Sequence, residues 1–158
     1  MSLFNTTAFR SALGQFPTGV AVVTTLDEDN NKVGMTISSF NSVSLNPPLV
    51  LWSIDKQAGC FDAFQQCTYY AINILAEQQQ DVSNTFAQQN IDKFANIKHT
   101  TGNHNIPLLE DCCAVFQCKI EHRYDGGDHI IIVGRVEDFS ENKKAPLVFH
   151  NGAYAELK

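Results

Sequence analysis

The stretch Ala114–Tyr124 limits the fold most, because its side chains alternate with a period of two. Ala114, Phe116, Cys118, Ile120, His122 and Tyr124 fall on one face, and Gln117, Lys119, Glu121 and Arg123 on the other. Successive side chains of a strand point to opposite faces, so this pattern predicts a long, half-exposed β-strand. The following Asp125-Gly126-Gly127-Asp128 supplies a permissive turn, and the β-branched run from Ile130 to Phe139 returns as the hairpin partner. A long two-stranded ribbon needs further strands to cover its apolar face.

Those strands are present. Val20 to Thr25 and Val33 to Ile37 flank the polar turn Asp27 to Lys32 and predict a second hairpin. Leu49 to Ile54 and Tyr69 to Leu75 read as further strands, apolar on both faces, with a helical turn at Phe61-Asp62-Ala63-Phe64 between them. The tail from Pro146 to Leu157 repeats the strand-turn-strand pattern around Asn151-Gly152. A short amphipathic helix precedes all of them: Thr6 or Thr7 caps it, Phe9, Leu13 and Phe16 recur on one side, and Pro17 stops it. Glu77 to Gly102, with Val82 and Phe86 four apart, predicts a helical excursion. Many short strands and few helices imply a mainly β chain, an antiparallel closed barrel with peripheral helices. No repeat or low-complexity boundary divides it, so residues 1–158 are expected to form one domain.

Composition narrows the function. A formal charge of −6 with no basic run excludes a general electrostatic grip on nucleic acid. Any phosphate must be held locally. Charged residues make up only 18% of the chain while Phe occurs 11 times, which predicts that part of the surface is covered by a second subunit. The five cysteines, Cys60, Cys67, Cys112, Cys113 and Cys118, show no CxxC pair and no zinc-type spacing. They read as reduced thiols in a cytoplasmic protein, with no metal site, and no apolar run is long enough to span a membrane.

Between the second hairpin and the Pro47-Pro48 corner lies a run of short hydroxyl residues: Thr36, Ser38, Ser39, Ser42 and Ser44. Such side chains bury little area and compete with a strand ladder for backbone partners, so the run predicts a loop. Hydroxyls that both donate and accept suit a loop wrapped around a polar, planar ligand. An isolated serine cluster equally well satisfies local backbone groups in a bulged connection.

Several ordered blocks carry a resemblance. Phe16-Pro17-Thr18-Gly19-Val20-Ala21-Val22-Val23-Thr24 is followed by Ser39-Phe40-Asn41-Ser42-Val43-Ser44-Leu45-Asn46-Pro47-Pro48-Leu49. Later come Gly127-Asp128-His129, Gly134-Arg135-Val136 and the tail block Pro146-Leu147-Val148-Phe149-His150-Asn151-Gly152-Ala153-Tyr154. Together these resemble the short-chain flavin reductase family, whose members bind FMN or FAD in a split β-barrel. The resemblance implies that Thr36, Ile37, Ser38 and Ser39 lie against the isoalloxazine ring and ribityl chain. It implies a phosphate-binding turn over Ser53, Lys56, Gly59 and Cys60. Relatives often carry hydroxyls where Ala58 and Cys60 stand, so here Ser53, Lys56 and backbone amides carry more of the load. The same resemblance puts His129 beside the flavin and the incoming nicotinamide as the catalytic residue, with Asp128 orienting its turn and Tyr154 near the cofactor.

The implied activity is hydride transfer from NADH or NADPH to FMN or FAD, with reduced flavin passing to a separate monooxygenase and the enzyme acting as a homodimer. Such chemistry belongs to the cofactors, and the chain shows no nucleophile or carboxylate-pair motif that would suggest another kind. No Rossmann glycine fingerprint is present from which to choose between the nicotinamide cofactors. Two other readings share the fold: an electron carrier that keeps FMN permanently, and a non-redox ligand-binding barrel.

Overall fold

Two long strands form the spine of the computed structural model, which describes residues 4–158. In chain order the elements are α1 (Thr6–Leu13), β1 (Thr18–Gly19), β2 (Ala21–Leu26), β3 (Lys32–Ile37), β4 (Asn41–Leu45), β5 (Pro48–Asp55) and α2 (Phe61–Gln66). There follow β6 (Tyr69–Ile74), a 3-10 turn (Glu77–Gln79), α3 (Gln80–Phe86), β7 (His99–Thr101), a second 3-10 turn (Asn103–Asn105) and β8 (Pro107–Leu109). The chain continues through β9 (Ala114–Gly126), β10 (His129–Glu141), β11 (Val148–His150) and β12 (Ala153–Ala155). Seven strands pair in the order β3-β2-β6-β9-β10-β5-β4, all antiparallel. The two ends of that order, β3 and β4, are consecutive in the chain yet do not pair. The barrel is therefore split at this seam, as the resemblance implied, and is not the closed barrel that strand content alone suggested.

The interior of the barrel holds Trp52, Tyr70, Phe64, Ile54, Ile72 and Ile132, each essentially inaccessible to solvent. A second apolar cluster, built from Val20, Val22, Leu75, Phe86, Phe94, Leu109 and Leu147, fills the space between the sheet and the excursion. β2 lies between the two clusters, and β6, read as apolar on both faces, buries Tyr70 and Ile72 in the barrel and Ala71 and Asn73 on its other side. Ala21 and Val23 point into the barrel while Val22 points out of it. β5 differs, since Val50, Trp52 and Ile54 are buried but Leu49, Leu51 and Ser53 on its other face are half covered.

Local chemistry explains other departures from the expectations. The α1 cap is Asn5, whose side-chain oxygen accepts from the Ala8 amide at 3.0 Å, and the helix ends at Gly14, before Pro17. The hydroxyl run is not all loop. Asn41–Leu45 forms an edge strand with a bulge at Val43, and its short side chains are tolerated there because an edge strand leaves them in water. In β9 the alternation breaks at Glu121, where the pairing steps from Val133↔His122 to Gly134↔Ile120. This bulge turns Arg123 inward. Its guanidinium donates to Phe64 O at 2.8 Å and Cys67 O at 2.8 Å, satisfying carbonyls at the end of α2. His122 and Tyr124 instead lie exposed and stacked, with ring centroids 5.3 Å apart.

Gly134, in β10, leaves room for Tyr70. A Cβ there would meet Tyr70 Oη at 2.0 Å and Cys118 Cβ at 3.1 Å. The Tyr70 ring is enclosed by the barrel and has nowhere to retreat. Gly134→Ala is expected to destabilise the fold by about 1–3 kcal/mol, read as a lower urea midpoint. An unchanged midpoint would contradict this account of the core.

Candidate active site at the split edge

Because β3 ends the sheet, half of its backbone groups have no strand partner. Leu75 N donates to Val20 O, which shows that the even-numbered residues of this strand face β6 and the odd-numbered ones face β3. The odd-numbered residues of β3 pair back, so the N–H and C=O of Lys32, Gly34 and Thr36 point to the free edge. One of these groups is visibly used, since Lys93 Nζ donates to Gly34 O at 3.0 Å and to Phe86 O at 3.1 Å. The contact draws the segment after α3 alongside the edge. Phe86 packs against Gly34, where a Cβ would meet its ring at 2.6 Å.

Edge, segment and the turn before α2 together enclose a cavity of about 420 Å³. Met35, Thr36, Gly59, Cys60, Phe86 and Lys93 are among its walls. The size falls within the range of small-molecule and cofactor sites, about 300–1,000 Å³. The turn is shaped by Asp55: its side chain accepts from Gln57 N at 2.8 Å and its carbonyl from Ala58 N at 3.0 Å. Among the described residues the Gly59 and Cys60 amides donate to no acceptor of another residue. Burial lowers the Lys93 ammonium below its usual range, with the neighbouring Cys60 opposing that shift. Burial likewise raises the Cys60 thiol, and Lys93 only partly offsets it. Cys60 lies 3.5 Å from Met35 Sδ and is a protonated wall residue, not a nucleophile.

A second group of residues gathers at the tip of the β9-β10 hairpin, beside the same turn. Lys56 N donates to Asp128 O at 2.9 Å, Lys56 Nζ pairs with Asp125, and His129 lies across from Asp55 in the ladder. His129 Nδ1 and Asp128 Oδ1 are 2.8 Å apart, which leaves Nε2 of the half-buried ring pointing away from that partner. The hydrogen bond and charge of His129 hold Asp128 below the ordinary carboxylate range, and Lys56 does the same for Asp125. These contacts persist above ordinary carboxylate pKa values and weaken as pH falls through the lowered ones.

The expected site residues thus divide. Thr36, Gly59 and Cys60 line the cavity, and Lys56, Asp128 and His129 meet at the hairpin tip. Several hydroxyls are already engaged within the protein. Thr36 Oγ1 donates to Ser83 O at 2.7 Å, and Tyr154 Oη contacts Ser83 Oγ at 2.8 Å and Asn84 Oδ1 at 2.7 Å. Ser39 Oγ stands in for a missing strand partner, accepting from Ser53 N at 3.0 Å and donating to Ser53 O at 3.2 Å. Ile37 is buried and borders a smaller apolar cleft of about 220 Å³ with Phe40 and Phe116. Only Ser38 of the run's first three hydroxyls is exposed with its side chain uncommitted. Sequence reasoning missed Gly34, Lys93 and the polar segment Gln88-Gln89-Asn90. The one available signal was a lysine set between an aspartate and a core phenylalanine, Asp92-Lys93-Phe94.

Residues 13–158 match the family described as flavin reductase like domain. The chain is 43% identical over 145 residues to the reductase component of a flavin-dependent trigonelline monooxygenase of Acinetobacter baylyi, covering 92% of this chain and 47% of that one. It is 39% identical to the FMN reductase (NADH) SmoA of Agrobacterium fabrum, over 97% of this chain and 87% of the relative. The structure of the Streptomyces globisporus NADH:FAD oxidoreductase SgcE6, in complex with NAD and FAD fragments, superposes with a TM-score of 0.93 at 31% identity, covering 100% of this chain and 98% of that one. The chain spans about half the length of the longer curated relatives it matches.

The two adjacent serines now have different expected roles. Ser39→Ala removes both bonds to the half-buried Ser53 backbone and is expected to cost about 1–3 kcal/mol. Ser38→Ala, at an exposed side chain, should stay within about 0.5 kcal/mol of the parent. Urea denaturation of the pair checks this, and equal midpoints would remove Ser39 from the seam.

Proposed function

This chain belongs to the flavin reductase-like domain family, and on that premise we propose that it is an NAD(P)H-dependent flavin reductase. One observation carries the reading: the unpaired edge of β3 faces a cofactor-sized cavity closed by a turn with two uncommitted amides. The edge N–H groups of Lys32, Gly34 and Thr36 and the carbonyls of Lys32 and Thr36 suit the heteroatoms of a flatly bound heterocycle. The Gly59 and Cys60 amides with Lys93 suit its phosphate. Apolar walls of Met35, Phe86 and Phe94 exclude water from the flavin's surroundings. A bound flavin supplies the hydride acceptor, and the nicotinamide supplies the hydride.

The chain's own part is positional. Asp128 accepts a hydrogen bond from His129 Nδ1, which fixes the ring and directs Nε2 outward, where it can hold the nicotinamide carboxamide. Hydride transfer needs two rings at near-attack distance and no general base. That requirement agrees with a site whose thiol is protonated and whose hydroxyls serve the fold. Relatives named as reductase components of two-part monooxygenases support delivery of reduced flavin to a separate oxygenase. The free state of all five cysteines supports a reducing, cytoplasmic setting. The family match over most of the chain and the continuous seven-stranded sheet support one domain.

We also propose a homodimer. α1 buries no residue, and Phe4, Phe9, Leu13 and Phe16 are 73%, 48%, 58% and 75% exposed. Four large apolar side chains on and around one helix call for a cover, and a second copy of the chain provides it.

Oxidation of NAD(P)H that rises with added free flavin is the expected activity, and its absence would overturn the reading. His129→Ala should leave flavin binding nearly intact and slow flavin reduction by about 10-fold or more, since alignment is lost. Stopped-flow absorbance with flavin-saturated protein measures this step. Unchanged reduction kinetics would return His129 to the role of a turn residue.

A further inference from the structure

One wall of the cavity hangs on a helix too short to hold itself. Every residue from Phe86 to Phe94 lines the cavity, and this stretch continues directly from α3. α3 has seven residues. Isolated helices shorter than about 12 residues are marginal in water, so contacts from outside must fix it. Its buried side chains are Ser83 and Phe86. Ser83 is 1% exposed, and a hydroxyl so enclosed needs a partner. Lys93 ties the far end of the wall to Gly34 O.

Three side-chain hydrogen bonds meet on Ser83 and Asn84, near the middle of α3. From β3, Thr36 Oγ1 donates to Ser83 O at 2.7 Å. From β12, Tyr154 Oη lies 2.8 Å from Ser83 Oγ and 2.7 Å from Asn84 Oδ1. Chemistry fixes the direction of these two bonds. An amide oxygen only accepts, so the phenol gives its single proton to Asn84, and the Ser83 hydroxyl donates to the phenol oxygen. Two of the three anchors thus pass through one side chain, which must both donate and accept. Tyr154 is itself firmly placed. It lies opposite Phe149 in the β11-β12 ladder, the two rings meet edge to face with centroids 5.7 Å apart, and Phe149 lies across from Thr18 of β1. Tyr154 is not one of the described residues that line the cavity.

We propose that Tyr154 is a positioning residue for flavin binding: it sets the place of α3, and α3 sets the place of the 86–94 wall. The inference rests on the flavin reductase reading and deepens it. The resemblance put Tyr154 near the cofactor, whereas here the phenol acts through Ser83 and Asn84 without touching the flavin. Thr36, on the free edge, is bonded to the same serine, so the tail hairpin, α3 and the edge form one connected unit. Loss of the phenol hydroxyl leaves the Ser83 hydroxyl buried without its acceptor and removes two of the three anchors. The wall then samples other positions, and part of the flavin's affinity goes to restoring the competent one. Once flavin is bound the wall is in place, so the loss falls on affinity and not on the rate at saturation.

Tyr154→Phe in the full chain keeps the ring against Phe149 and removes only the hydroxyl. Fluorescence titrations with FMN and with FAD should show binding weakened by about 5- to 10-fold, while stopped-flow reduction by NAD(P)H at saturating flavin stays within about 2-fold of the parent. Without flavin, hydrogen exchange should quicken at the amides of residues 84–92 and stay unchanged in β9 and β10, a pattern that general loosening of the fold would not give. Ser83→Ala, which loses one of the two phenol bonds, should move flavin affinity in the same direction by a smaller factor, and it serves in place of Tyr154→Phe if that variant does not fold. Unchanged flavin affinity in these variants would overturn the proposal. So would slowed reduction at saturating flavin with affinity intact, which would put Tyr154 against the reacting rings, or faster exchange spread through β9 and β10. A folded wild type that binds neither flavin would instead overturn the flavin reductase reading, and the exchange measurement would still test the wall.

Discussion

The unpaired edge of β3 is the constraint on which the rest of the molecule turns. A sheet edge with free N–H and C=O groups invites association with other strands, and folded proteins cover such edges or put them to use. Here the cover is partial. Lys93 holds the segment after α3 by donating to Gly34 O on the edge and Phe86 O on the segment, and Phe86 seals over Gly34 because that residue has no side chain. The remaining length of edge faces a cavity. A single ammonium thus fixes one wall of the site, shields part of an edge and places positive charge in the cavity.

The chemistry of the walls suits a cofactor reaction more than a protein-centred one. Burial pushes the cysteine thiols up, Cys112 and Cys118 to about 12, so none is a nucleophile near neutral pH. Thr36, Ser39 and Tyr154 use their hydroxyls to connect β3, β5, α3 and the tail hairpin. The groups with unused hydrogen-bonding capacity are backbone amides, Lys93 and His129, which are groups that bind and align. Rigid connections behind a polar edge are what precise stacking of two rings demands.

Much of this was legible in the sequence, and the rest was hidden for identifiable reasons. The long hairpin, the hairpin of β2 and β3 and the tail hairpin at Asn151-Gly152 follow from strand patterning and turn residues, which are local. The bulge at Glu121 was not legible, because it is set by register with β10. Without it Arg123 reads as an exposed residue, whereas it caps α2. In the sequence the hydroxyl run suits a ligand and local backbone groups equally well, and only the fold shows Ser39 bound to the Ser53 backbone where a strand partner is missing. The resemblance supplied the split in the barrel, which strand content alone did not. Gly34 and Lys93 were out of reach because they are joined only by the fold, across 59 positions of the chain.

Hydrogen exchange at the amides of Lys32, Gly34 and Thr36, with and without saturating flavin, tests the central claim directly. If the flavin lies along the free edge of β3, exchange at these amides slows on binding, while their neighbours Val33 and Met35, already paired to β2, change little. Flavin bound with exchange at the edge unaltered would place the cofactor elsewhere and contradict the account.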